Sequence, residues 1–295
     1  MLTHVIAGAL AAFSLTQATD TTFAVDRDAR LSIDSRTGSI EIQAWDRSEI
    51  RVRSDSGDED AVEIDGSGSL IRIRPGGFWE DEGVDLVLTI PTSMAVEISV
   101  GEGNVHVSGT RGSLEVETLD GDVWIQEAAG SVAVSTVDGN VEMVDVRGAV
   151  AVDNFDGNVH LSRVTGAIAV EGIDGEIQLR DIDSEAVDVS TVDGSVWYDG
   201  TVRPDGRYRL VTHDGDVTFT VAEGSGLTVS VSTFEGSLHP SFPITLRSSV
   251  DRLTEFTIGD GSARVELESF DGNIFLVRPG EREPPPPPVP PRAPE

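Results

Sequence analysis

The chain has 295 residues, no Cys, and 52 acidic against 21 basic residues, a formal net charge of -31 in which every basic residue is Arg. Such a polyanion repels nucleic acid and anionic membrane surfaces. The missing Cys and Lys remove disulfides, thiolate chemistry, thiolate zinc sites, Schiff bases and a lysine general base.

Residues 1–18 read as a secretory signal peptide. An apolar run, Val5–Phe13, precedes the small-residue site Thr16-Gln17-Ala18, with cleavage expected after Ala18. The run is too short to span a bilayer, and the leading "MLTH" lacks the usual basic residue. An exported location is expected: periplasm, cell surface or extracellular. Residues 19–108 read as irregular strands that cap a solenoid formed by residues 109–278. "TGSIEIQAW" (37–45), "GSLIRIR" (68–74) and "VDLVLTIP" (84–91) alternate with strand period, and "PGGFWEDEG" (75–83) reads as a loop.

Residues 109–278 carry a repeat. Gly stands at 112, 121, 130, 139, 148, 157, 166 and 175, nine apart, with Ser184 and Gly194 continuing the series. Counting each Gly as zero, apolar residues fall at +2, +4 and usually +7: Val132, Val134 and Val137 after Gly130; Val159, Leu161 and Val164 after Gly157; Ile168, Val170 and Ile173 after Gly166. The +2/+4 alternation is strand periodicity in β-branched residues. The +7 residue is expected to turn inward at a corner. No nine-residue stretch buries such a face alone, but stacked coils do. Asp precedes every second Gly (Asp120, Asp138, Asp156, Asp174, Asp193), so one coil is two nonamers, about 18 residues with a strand on each of two walls. The fold expected is an all-β single-stranded β-solenoid. Residues 279–295, with Pro284–Pro288 in succession, read as a disordered Pro-rich tail in polyproline II form.

The opening "FAVDRDARLSIDSRTGSIEIQAW", the segment "VDLVLTIPTSMAVEISVGEGNVHVSG", and the serial "VSTVDGNV" units closing on "ARVELESFDGNIFL" together resemble the bacterial putative-adhesin, β-strand-repeat family of unknown function, related to head domains of autotransporter adhesins. The resemblance covers roughly residues 22–278. It implies an exported, right-handed β-solenoid and carries no catalytic residues.

Stacked coils would set the Asp-Gly pairs about 4.8 Å apart in an edge ladder. The favoured reading is turn chemistry, with Gly taking φ > 0 and Asp accepting backbone N–H bonds just beyond it. The metal alternative is Ca²⁺ held loosely between coils by Asp138, Asn140, Asp156 and Asn158. A tight site is not expected, because calcium needs six to eight oxygens and the nonapeptide roll needs G-G-x-G-x-D. No cofactor is expected.

The outward +1 and +3 positions separate two walls. The wall after each Asp-Gly is polar, with Trp124, Glu142, His160, Gln178 and Trp197 at +3; it is the expected ligand face, with both Trp exposed for a glycan or surface ligand. The other wall is small and flat, with Ala133, Ala149, Ala151, Ala167 and Ala169 as the expected homodimer interface. No H-E-x-x-H or G-x-S-x-G occurs, and Glu142 with Arg163 or Arg180 is the weak remnant of a polysaccharide-active site. The function expected is non-catalytic: an adhesin-like surface or envelope module. A structural or regulatory module binding an envelope protein comes second, and a polysaccharide lyase or hydrolase third.

Overall fold

The computed structural model describes residues 13–16, 20–26, 28–54, 62–67, 69–75, 83–250 and 253–282. Among these there is no helix, and the strands join one 26-stranded sheet. Val and Ile at every second position dictate this, since branched side chains pack on a pleated surface and cost a helix side-chain entropy.

Two series of parallel strands carry the repeat. In one, the strands Leu114–Asp120, Val132–Asp138, Val150–Asp156 and Ile168–Asp174 lie side by side, with Leu114 beside Val132, Val132 beside Val150, and Val150 beside Ile168. In the other, Val105–Ser108, Val123–Gln126, Val141–Val144 and Val159–Ser162 do the same, with Val123 beside Val141 and Val141 beside Val159. The two long strands Ile177–Asp193 and Val196–Asp214 contribute to both series.

Chain order breaks at each end. Arg30–Thr37 lies between Leu70–Pro75 and Ala95–Glu102, and Ala263–Asp271 lies between Val196–Asp214 and Leu227–Glu235. Antiparallel strands then pair at the extremities: Val62–Ser67 on Leu70–Pro75, and Leu253–Ile258 on Leu227–Glu235. They occupy backbone groups that would otherwise offer an open parallel edge to another chain. The stretch "TGSIEIQAW" holds the strand Ile40–Trp45, which pairs in parallel with Val105–Ser108. Of the expected leader, residues 1–12 and 17–18 lie outside the described residues, while Phe13–Thr16 pair with Val62–Ser67. Of the tail, residues 283–295 lie outside them.

The core lies between the two series. Val132 and Val134 from one wall meet Val141, Met143 and Val146 from the other, all at 3% exposure or less. Each corner needs Gly. At Gly139 the backbone is at φ 147°, and an added Cβ would collide with the Gly121 carbonyl oxygen one coil away. The hydrogen bonds at this corner come from the residue after Gly, not from the Asp before it. Asn140 Oδ1 accepts from the Asn158 backbone N–H (3.0 Å), Asp122 Oδ1 from Asn140 (2.8 Å), and Asn158 Oδ1 from Glu176 (2.9 Å). Asp138 contributes its carbonyl instead, which accepts from Gly121 N–H at 2.9 Å.

The expectation for +7 holds on one wall and fails on the other. Ala128, Val146, Val164 and Ile182 are buried, whereas Leu119, Val137, Phe155 and Ile173 are 63%, 47%, 56% and 41% exposed. The cause is strand length. The longer strands keep alternating through +6, where Thr118, Thr136 and Asn154 point in, so +7 points out. Small polar residues suit the tight inner corner, where three of them bond to Gly carbonyls: Asn154 Nδ2 to Gly139 O (3.1 Å), Thr212 Oγ1 to Gly194 O (2.8 Å) and Ser269 Oγ to Gly215 O (2.8 Å), while the Thr118 and Thr136 hydroxyls have no protein partner.

Candidate functional site

The five residues of the expected ligand face form one register row on adjacent strands: Trp124 beside Glu142, Glu142 beside His160, His160 beside Gln178, Gln178 beside Trp197. Thr218 and Phe275 extend the row. The row is not the open aromatic platform that the sequence suggested. Trp124 and Trp197 are each only 7% exposed, His160 8% and Gln178 1%. Bulky side chains on rungs about 4.8 Å apart cover one another's faces. At the carboxyl-terminal end of the row the Arg282 guanidinium lies over the Phe275 ring, 3.9 Å from its centroid, with Asp216 at 3.8 Å.

Burial dominates the electrostatics of the row. It lowers the His160 imidazole to about 4, with the Arg180 charge adding to the shift, and raises the Glu142 carboxyl, against which a hydrogen bond from Trp124 acts. His160 Nδ1, both Gln178 amide atoms and Trp197 Nε1 have no protein partner. Arg163 does not join Glu142. It makes a two-pronged pair with Asp145 (2.7 and 2.9 Å) at an exposed corner, where both residues adopt positive φ.

The Ala face is open. Ala133, Ala151 and Ala169 stand in register and exposed, with Ala149 and Ala167 exposed just before their strands. Glu115 and Asp188 bracket the in-register trio. Toward the carboxyl-terminal end of the same wall lies a groove of about 790 Å³ whose lining includes Arg207, Arg209 and Arg264. Arg209 reaches both Asp188 (3.1 Å) and Glu266 (3.9 Å). Among the described residues no group of three or more His, Asp or Glu side chains is placed to hold a metal ion. Asp138 and Asp156 stand exposed on neighbouring corners, while Asn140 and Asn158 are engaged in the backbone ladder.

A feature not anticipated from the repeat is the row made by the outward +7 residues. Leu119, Val137, Phe155, Ile173 and Val192 lie on consecutive strands, followed by His213, Phe270 and Phe234. All eight are exposed. The last three stack, with centroids 4.7 Å apart for His213–Phe270 and 4.6 Å for Phe270–Phe234. The signal was present as an apolar or aromatic residue just before the acidic-Gly pairs at 120, 138, 156, 174, 193, 214, 235 and 271, including "TFEG" and "SFDG", where a plain corner would not need a large side chain.

Two solved structures to which the chain is similar are a putative cell adhesion protein from Clostridium sporogenes ATCC 15579 (9% identity, 88% of this chain and 98% of that chain covered, TM-score 0.28) and a putative adhesin from Parabacteroides distasonis ATCC 8503 (13% identity, 88% and 96% covered, TM-score 0.34). No curated protein matches the sequence. Residues 126–276, a little over half of the chain and including strands of both series, match the Toastrack DUF4097 family, and the chain belongs to it.

Proposed function

We propose that the chain is an exported, non-catalytic binding module of adhesin type, acting at a cell surface or envelope. The observation that carries this reading is the exposed row from Leu119 to Phe234. Seven apolar side chains and one His in unbroken register on eight adjacent strands are an expensive surface for a protein in water, and contiguous patches of this kind mark interaction sites. Export is supported by the apolar run before Ala18. A right-handed coil of about 18 residues, with residues 19–108 as its cap, accompanies this reading. A glycan remains within it as a ligand class, but the stacking surface offered is Phe234–Phe270–His213 and not Trp124 or Trp197.

The test is retention of the full chain on isolated envelope fractions and on a glycan array, with and without Ca²⁺, compared with the double variant Val137→Ser/Phe155→Ser. Retention of the variant is expected to fall at least about fivefold with unchanged melting, since each lost contact surface exceeds one methylene equivalent. Equal retention of wild type and variant removes the row from binding.

A further inference from the structure

The same row carries information about the chemistry of its occupant. On one side runs a line of carboxylates: Asp120, Asp138, Asp156, Asp174, Asp193, Asp214, Asp271 and Glu235, all exposed and in register. On the other side, two residues back along each strand, stand Glu117, Ser135, Asp153, Glu171, Ser190, Val211, Glu268 and Ser232. Neither flank contains a basic residue. A largely apolar strip is thus bounded on one edge by a carboxylate at every rung and on the other by Glu117, Asp153, Glu171 and Glu268, along eight rungs that span roughly 34 Å at strand spacing.

Building on the reading of the row as a binding surface, we propose that it seats a basic amphipathic helix of a partner protein. A helix of about 22 residues covers this length at 1.5 Å per residue. Its apolar stripe, with neighbours three and four residues apart spaced about 5–6 Å, matches the rung spacing, and Lys or Arg flanking the stripe would meet carboxylates on both sides. The charge pattern selects among occupants. A second copy of this chain brings its own carboxylate lines face to face with these, an anionic membrane meets the same repulsion, and a neutral glycan leaves the acidic flanks unused.

The experiment uses the full chain and three synthetic peptides of about 22 residues, followed by fluorescence anisotropy. The first carries Leu at i, i+3, i+4 and i+7 with Lys flanks. The second keeps the Leu stripe with Glu flanks, and the third keeps the Lys with Gln in place of Leu. The first peptide alone is expected to bind. Its affinity should fall at least about tenfold for Val137→Ser/Phe155→Ser, and by about as much again when NaCl rises from about 50 to about 500 mM. Both substitutions lie at exposed positions, and matched melting curves verify the fold. Equal binding of the Gln peptide, or binding indifferent to the double variant, overturns the proposal. If wild type instead self-associates or holds a neutral glycan, and the double variant abolishes that, the row remains a binding surface and the basic-helix assignment is overturned. If the double variant changes none of these, both readings are overturned.

Discussion

At the scale of single residues, His160 shows how burial sets behaviour. Its side chain faces away from the core, yet it stands between Glu142 and Gln178 at 8% exposure, and its imidazole is lowered from the ordinary 6.5 to about 4. The folded chain therefore resists the proton that the unfolded chain accepts. This contribution is fully present above pH 6.5 and is lost as pH falls from 6.5 toward 4. Unfolding titrations are expected to show stability dropping over that window by on the order of 2 kcal/mol. His160→Leu should flatten that part of the profile, and an unchanged slope would place the imidazole in water. The raised Glu142 carboxyl acts with the opposite sign, since protonation relieves its burial in the folded chain.

At the scale of the strand, two units of equal length in sequence behave differently. Both place apolar residues at +2, +4 and +7, but the shorter strands turn after +5 and bury +7, while the longer ones continue through +6 and expose it. Val146→Ala is accordingly expected to cost about 1.5–2.5 kcal/mol and Val137→Ala almost nothing, measured by urea unfolding. Equal costs would return both residues to the core. The +2/+4 alternation and the glycine spacing made the strands and their stacking legible, because those follow from the pleat and from a corner that excludes Cβ. The direction of +7 was not legible, because it depends on whether Thr136 or Val137 fills the inner corner, and that is decided by strand length and by packing against the neighbouring coils. For the same reason the Trp row was located correctly as a row, but its burial was not foreseen. Exposure of Trp124 depends on what stands on the neighbouring rung, and the spacing placed Glu142 there without saying how the two would pack.

At the scale of the whole molecule, two walls of parallel strands enclose one apolar core, and antiparallel strands sit at both extremities. A formal charge of -31 keeps such a chain dispersed and confines attraction to places where apolar surface and acid coincide. The row from Leu119 to Phe234 is such a place, and the account rests on its facing outward. Because the chain contains no Cys, single thiols introduced as Val137→Cys, Phe155→Cys, Val134→Cys and Val146→Cys can each be tracked by labelling in the folded state. The account predicts that the thiols at 137 and 155 react as fast as in urea-unfolded chain, while those at 134 and 146 are protected until the fold opens. Protection at 137 and 155 would contradict it.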